Sequence, residues 1–565
     1  MKKKWKVYEA NPRLQQVLSS NLGISPVFAQ LLLNRGIRTP EQAQKFLFGR
    51  LSSCNDPFLM KDMDRGVERI KKAVENNERI MIYGDYDVDG VTSTALLASI
   101  FEELGARYET FIPNRIEEGY GLNVRAVARA REDGVKLIIT VDCGINSVEE
   151  VECANNYGMD VIVTDHHEVK TARRPEAYAI IDPHQPDCPY PFNYLAGVGV
   201  VYKLARALMK GREAVADRHL DLVALGTIAD VVPINGENRV LAKNGLKKLR
   251  QTDKPGLKAL MDVARVNPKK LTCKDIGFAL GPRINAMGRV GSASVALELL
   301  MCGDDARARE IALTLDRENK NRQNIERNIL KQVLGRVEKE VDLENEKVIV
   351  LADESWHPGV IGIVASRLTE QYRKPAILIA LKDGRGRGSG RGVDGFNLFE
   401  AINKASSHLI DFGGHEQACG LKIRKEDIGR FRESLNEVAG DYFVKEETAL
   451  PELKIDLCLP FSHIETRLIN ELGILMPHGP GNSEPVFSSR GLKVKNTPRN
   501  IGRNGFKFLA SCGNLTCEAV TFKKNDVRRP APGDVIDLAY TPSINSWDGL
   551  DSIQLNIRDL QIAMD

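Results

Sequence analysis

Three short apolar runs rich in β-branched residues alternate with longer amphipathic stretches: Arg79-Ile80-Met81-Ile82-Tyr83, Lys136-Leu137-Ile138-Ile139-Thr140-Val141 and Met159-Asp160-Val161-Ile162-Val163. Runs this short read as strands, and their predominantly apolar character argues that both faces are buried. A chain with this pattern has few options. It predicts an α/β fold, a parallel sheet with helices on both faces. In an open parallel sheet, ligand-binding residues gather outside the carboxyl ends of the strands. The residues that follow each run are therefore where chemistry is expected.

The first run leads into Gly84-Asp85-Tyr86-Asp87-Val88-Asp89-Gly90, three carboxylates spaced by two. Like charges at that density raise one another's pKa unless a cation neutralises them, so the pattern implies a metal. The same spacing opens an EF-hand calcium loop, but the twelfth position counted from Asp85 is Leu96 instead of a bidentate Glu, and a strand instead of a helix precedes it. The second run ends in Val141-Asp142-Cys143-Gly144 and the third in Thr164-Asp165-His166-His167-Glu168. Asp230 closes a helical run, 221 to 229, whose apolar surround suits a buried carboxylate only if a cation pairs it. Several carboxylates with one or two imidazoles form a largely oxygen-donor set, suited to manganese or magnesium more than to thiolate-seeking zinc. Two divalent ions in such a set suit phosphoester hydrolysis, because a pair can activate water and stabilise both the attacking and the leaving oxygen. His167, beside the ligand candidate His166, is placed to meet the phosphate's non-bridging oxygens or to move a proton.

At 565 residues the chain exceeds one ordinary core, and about two to four domains are expected. Hydrophobic content of 42% and charged content of 27%, without a tract of about 18 apolar residues, give no support to a membrane role. The start, Met1-Lys2-Lys3-Lys4-Trp5, is basic but runs into polar sequence with no apolar signal region, so the cytosol is the expected location. Ten cysteines lack a C-x-x-C pair and read as reduced core residues. Net charge is only +3, from 79 basic and 76 acidic side chains, so the distribution of charge says more about a nucleic-acid partner than its sum does.

Residues 1–75 read as a helical segment, with Thr39 capping a helix that starts at Pro40. The catalytic α/β segment is expected over 76–303, and a long connecting helix over 304–341. A second α/β segment over 342–447 has strand candidates 347–352 and 375–381 around a helix near 360–371. Residues 448–565, with short alternating strands and many turn residues, predict a small β-barrel. The Gly- and Arg-rich stretch 384–392 reads as a loop between ordered elements, its glycines admitting a phosphate to backbone N–H groups and an arginine adding a bidentate contact.

In this order, Asp-x-Asp-x-Asp-Gly, Asp-x-Gly and Asp-His-His resemble the DHH phosphoesterase superfamily. Further runs resemble its RecJ single-strand exonucleases in particular: Ile112-Pro113-Asn114-Arg115 with Glu118-Gly119-Tyr120-Gly121, Gly281-Pro282-Arg283-Ile284-Asn285-Ala286 to Arg289, Trp356-His357-Pro358-Gly359-Val360-Ile361-Gly362, and Gly413-Gly414-His415. The resemblance spans about 50 to 560. It implies a DHH core, a smaller DHHA1 domain joined by the long helix, and an OB-fold barrel that binds nucleic acid. It also implies 5′-to-3′ hydrolysis of single-stranded DNA with Mn2+ or Mg2+, in repair and recombination, with a helicase and a single-stranded-DNA-binding protein as candidate partners.

By the same resemblance, Asp87 and Asp85 serve one metal, Asp89, His166 and Asp230 serve the other, and Asp142 bridges. His167, Asp142 and Arg283 form the catalytic set. Arg115, Ser389 and Arg391 hold a 5′-terminal phosphate, with Gly390 and Arg289 in the same nucleic-acid-binding group. Arg283 and His415 position the strand near the metals, and Tyr120 stacks on a base. In the barrel, Pro477-His478-Gly479-Pro480-Gly481-Asn482 departs from the family at His478, where Phe is expected. Lys493, Lys495, Arg499, Arg503 and Lys507, interleaved with Phe506 and Phe508, fit a groove that neutralises the backbone and stacks on bases.

Two rivals stand beside this reading: a DHH enzyme for dinucleotides, short oligonucleotides or pyrophosphate, and a metal-free scaffold that binds single strands. A barrel of over 100 residues argues against the first, and the filled ligand positions argue against the second. A purely structural metal is hard to reconcile with the adjoining phosphate-binding segments.

Overall fold

In the computed structural model, the strands Ile80–Gly84, Tyr108–Phe111, Leu137–Val141, Asp160–Thr164 and Ala179–Ile181 form one parallel sheet. All residues are described except 1–2, 116–117, 120, 170–172, 444–451, 503–504, 523–526, 548–549 and 563–565. Numbered along the chain, the five strands lie in the order 2-1-3-4-5. That order reverses between Ile80–Gly84 and Leu137–Val141, which opens a crevice at their carboxyl ends. Met81, Tyr83, Ile138, Val161 and Val163 pack one face against Ala126, Val127, Val151 and Ala154 of the helices Val124–Glu132 and Val148–Asn156. The helices Val88–Leu104 and Gly197–Leu208 also pack on the sheet. Strands sandwiched in this way are apolar along their whole length, which is why their runs stood out in the sequence.

The chain divides into two compact units, 57–230 with 247–449, and 1–56 with 231–246 and 450–565. In the first, the helix Asp305–Glu340 has 36 residues, about 54 Å at 1.5 Å per residue, and Asp304 caps it by accepting from Arg307 N–H. Beyond it lies a five-stranded sheet in the order Leu409–His415, Ala418–Arg424, Arg385–Arg391, Ala376–Lys382, Ile349–Asp353. Arg385–Arg391 corrects the expectation of a loop over 384–392: it is an inner strand, hydrogen-bonded on both sides. Its alternate glycines are a packing device. A β-carbon at Gly386 would stand 2.5 Å from Ile379 Cγ2, and one at Gly388 2.6 Å from Leu421 Cδ1. Arg387, Ser389 and Arg391 point to the opposite face, because side chains alternate along a strand.

In the second unit, N-terminal helices and C-terminal strands share one core. Leu18, Phe28, Leu31 and Leu47 pack in the same cluster as Leu468, Leu472, Phe487, Phe506 and Tyr540. The helices Pro12–Leu22, Pro26–Asn34 and Pro40–Phe48 each begin with proline behind a capping Asn11, Ser25 or Thr39, where the missing N–H costs nothing. The strand Lys4–Val7 pairs in parallel with Glu452–Ile455. The strands Phe487–Val494, Val535–Trp547, Leu550–Ile562, Leu515–Thr521 and Gly505–Cys512 pair in that order, and Gly505–Cys512 pairs back to Phe487–Val494, closing a five-stranded ring in keeping with an OB-fold. Buried Arg239 donates to the carbonyls of Phe46, near the end of helix Pro40–Phe48, and of Ile474, Leu475, Met476 and Pro477, at and just past the end of helix Thr466–Ile474. Among the described residues, no single helix is long and apolar enough to cross a membrane.

Candidate active site

The acidic motif turns directly from strand into helix. Asp87 caps the helix Val88–Leu104, accepting from Asp89 N–H at 2.9 Å and Gly90 N–H at 3.1 Å. The turn is tight: a β-carbon at Gly90 would lie 2.4 Å from the Asp85 carbonyl oxygen. Asp89, one residue into the helix, is buried and accepts from the N–H groups of Gly197 (2.6 Å) and Val198 (2.9 Å), at the start of the helix Gly197–Leu208. The positive end of that helix favours a carboxylate there. Asp142 leaves its strand at φ +63°, a left-handed conformation that a non-glycine residue adopts at a cost.

These elements bring seven expected residues together. One oxygen each from Asp85, Asp87 and Asp142 lie within 4.8 Å of one another, as do ligand atoms of Asp89, His166 and Asp230, and of Asp142, His166 and His167. His166 Nε2 stands 3.2 Å from Asp142 Oδ1, 3.7 Å from Asp230 Oδ2 and 3.8 Å from Asp89 Oδ2. Asp85 Oδ1, Asp142 Oδ1 and His166 Nε2 are buried without hydrogen-bond partners. Burial and then the neighbouring carboxylates push Asp85, Asp142 and Asp230 well above the usual carboxylate range, and Asp89 up to about 7. Unpartnered donor atoms, carboxylates with an imidazole, and a cluster short of positive charge fit divalent cations bound by hard oxygen ligands. A β-carbon at Gly197 would stand 2.4 Å from Asp142 Oδ1, so the cradle is cut to the carboxylate it holds.

Asp165 received no role from the sequence although it sits inside the Asp-His-His motif. It is buried, and accepts from Ile145 N–H (2.9 Å), His166 N–H (2.7 Å) and His167 N–H (3.2 Å), with His167 Nδ1 also 2.7 Å from Oδ1. Burial alone would raise its pKa, but His167 and these hydrogen bonds hold it at about 2. Burial works against the charged form of His167 too, yet the Asp165 contact, with the charges of Asp230 and Asp85, raises it to about 9. His166 goes the other way, lowered to about 3 by burial and by His167, and stays neutral as a metal ligand must.

Arginines border the carboxylates. Arg115 stacks on the Tyr86 ring, 5.0 Å from its centre. Burial, then the charges of Arg115, Arg322 and Arg391, lower Arg289 to about 10. Arg391 donates to Ser389 Oγ (3.2 Å) and to the Gly390 carbonyl (2.7 Å). A β-carbon at Gly362 would lie 2.7 Å from Ser389 Oγ and 3.1 Å from Arg391 Nη2, so the start of helix Ile361–Tyr372 rests on this pair. Gly390 faces the apolar core, towards Leu398 and Ile377, and offers only its backbone. His415 is exposed and shares a row of the sheet with Arg391, Ala418 lying between them.

Arg283 donates to Asp316 of the long helix (3.0 and 2.8 Å) and to the Ala279 carbonyl (2.7 Å). Tyr120 and Arg503 lie outside the described residues. Phe506 and Phe508 correct the barrel expectation: they are 0% and 1% exposed, so they fill its core and cannot stack on bases, and Lys507 pairs with Glu518 at 2.8 Å.

Residues 79–227 match the DHH family N-terminal domain, 345–441 the DHHA1 domain and 455–559 the RecJ OB domain. The chain is 38% identical to the single-stranded-DNA-specific exonuclease RecJ of Bacillus subtilis, over 100% of this chain and 71% of that one. It is 33% identical to RecJ of Escherichia coli, over 95% and 96%. The crystal structure of RecJ from Thermus thermophilus in complex with Mn2+ superposes with a TM-score of 0.85 at 29% identity, covering 100% of this chain and 80% of that one.

Proposed function

Since this chain belongs to the RecJ family of single-stranded-DNA-specific exonucleases, we propose that it removes nucleotides from single-stranded DNA in the 5′-to-3′ direction by metal-dependent phosphodiester hydrolysis. The observation that carries this is the pair of donor clusters meeting around Asp142, with the arginine group beside them. Asp85 and Asp87 would hold one divalent cation, Asp89, His166 and Asp230 the other, and Asp142 both. Bound there, two Mn2+ or Mg2+ ions would supply the charge that activates water and stabilises the phosphoryl oxygens.

His167, held in place by Asp165, is suited to meet a non-bridging oxygen of the scissile phosphate. Arg115, Ser389 and Arg391 receive the 5′-terminal phosphate, and Arg289 adds charge from below. A terminal phosphate held beside the metals sets how far the strand end advances, and this gives stepwise cleavage its register. Arg283 and His415 position the following nucleotides, and Tyr120 stacks on a base. The catalytic, connecting, DHHA1 and barrel segments are 76–303, 304–341, 342–447 and 448–565, with the helical 1–75 preceding them. The setting is cytosolic DNA repair and recombination, beside a helicase and a single-stranded-DNA-binding protein.

The test compares, with Mn2+, a 5′-phosphorylated single strand, the same strand with a 5′ hydroxyl, a blunt duplex, and linear and cyclic dinucleotides. The phosphorylated single strand is expected to be degraded fastest and the duplex not at all, with the phosphate preference reduced about tenfold in Arg391→Ala. Hydrolysis of dinucleotides alone would replace this function with a small-substrate one.

A further inference from the structure

Phe278 is 85% exposed, while Ile276 and Leu280 on either side of it in the same turn are fully buried. Residues four apart share a helix face and the one between them points away, so packing fixes the direction of Phe278 outwards. Ile276–Leu280 is a π-helical turn between Cys273–Asp275 and Gly281–Val290, a widening frequent at functional sites. Gly277 has nothing within 4 Å of where its β-carbon would be, so the space beside the ring is open.

The turn runs into Gly281, which packs against the segments that carry the carboxylate cluster. A β-carbon at Gly281 would stand 3.6 Å from Ala229 Cβ and 3.8 Å from Val88 Cγ2. Ala229 precedes Asp230, and Val88 separates Asp87 from Asp89. Phe278 is three residues earlier, roughly 4–5 Å along the axis. The carbonyl of the next residue, Ala279, accepts from Arg283, whose guanidinium is also paired with Asp316. Scattered exposed apolar side chains need no explanation, but a ring aimed outwards by its flanking anchors, beside open space and on a turn packed against the segments that carry the carboxylate cluster, has the character of a single-strand platform.

We propose that Phe278 stacks on a nucleobase of the strand entering the site, a contact tolerant of sequence because every base has a π face. This rests on the exonuclease reading above. The tests measure binding of an oligothymidylate in EDTA, where no cleavage proceeds. Phe278→Ala is expected to raise its Kd about tenfold. Phe278→Tyr retains affinity, and Phe278→Trp gains a fluorescence signal that the strand quenches beyond any change in the wild type. A Mn2+-induced rise in Tm equal to that of the wild type confirms that Phe278→Ala is folded with its metal site intact. Wild-type affinity in Phe278→Ala, or no added quenching in Phe278→Trp, overturns the proposal and leaves the exonuclease reading standing. A wild-type protein that neither binds the single strand in EDTA nor shortens it with Mn2+ overturns both. Loss of self-association in Phe278→Ala with strand affinity unchanged makes the ring a protein contact and overturns the stacking role.

Discussion

Nothing but hydrogen can occupy the side-chain position of Gly197 while Asp142 stays where it is: a β-carbon there would stand 2.4 Å from Asp142 Oδ1 and 2.8 Å from its Cβ. The same glycine donates its N–H to Asp89 at 2.6 Å, so one backbone unit fixes two carboxylates of the cluster. Gly197→Ala is expected to displace Asp142 without unfolding the helix it starts, weakening Mn2+ binding by about 10–100-fold. Titration calorimetry measures the affinity, and circular dichroism checks the fold.

Asp142 should also reveal its charge through stability. Without metal, its buried carboxylate stands among Asp85, Asp87, Asp89 and Asp230 with little to neutralise it. Asp142→Asn removes one of these like charges, so the metal-free variant is expected to melt a few degrees above the metal-free wild type, about 1–2 kcal/mol. With Mn2+ the order reverses, because only the wild type gains from binding. Differential scanning fluorimetry with and without EDTA checks both signs.

The sheet core and most of the site were legible in the sequence because each depends on a local pattern. Strands buried on both faces must be continuously apolar, and ligands at strand ends follow those runs directly, as Asp85, Asp142 and His166 do. What escaped depends on partners distant in sequence. Arg385–Arg391 resembles a loop by composition, and only its neighbours Ile379 and Leu421 explain why its alternate residues are glycine. Phe506 and Phe508 alternate with polar residues as a binding face would, but the closed ring turns that face inwards. The pairing of Arg283 with Asp316 of the long helix likewise joins residues 33 apart that no local pattern connects.

Those glycines offer their own check. A side chain at Gly388 would push on Leu421 Cδ1 and Cγ at 2.6 and 2.7 Å, so Gly388→Val is expected to destabilise by about 1–3 kcal/mol. Gly420 of the adjacent strand has nothing within 4 Å, and Gly420→Ala should change stability by less than about 0.5 kcal/mol. Urea unfolding of the two variants distinguishes a packed inner strand from a loop.

His478 makes the second unit sensitive to acid. Burial lowers its pKa from 6.5 to about 4, and its Nδ1 is buried without a partner. The unfolded chain therefore takes up the proton first as pH falls. The stability associated with the neutral ring is fully present above about pH 6.5 and is lost progressively towards pH 4, by about 2–3 kcal/mol. His478→Phe keeps an aromatic ring and removes the titration, so it should flatten this decline between pH 6.5 and 4. Denaturant unfolding across that range, wild type against variant, measures the difference.

Digestion of one oligonucleotide labelled at either end, with Mn2+ and with Asp142→Asn alongside the wild type, bears most directly on what the carboxylate cluster does. Labelled mononucleotide should appear at the earliest times from the 5′-labelled strand, while the 3′ label stays on progressively shorter fragments, and Asp142→Asn should release neither. Early release from the 3′ end, internal cutting, or undiminished release by Asp142→Asn would contradict a two-cation site around Asp142 that consumes single strands from the 5′ end.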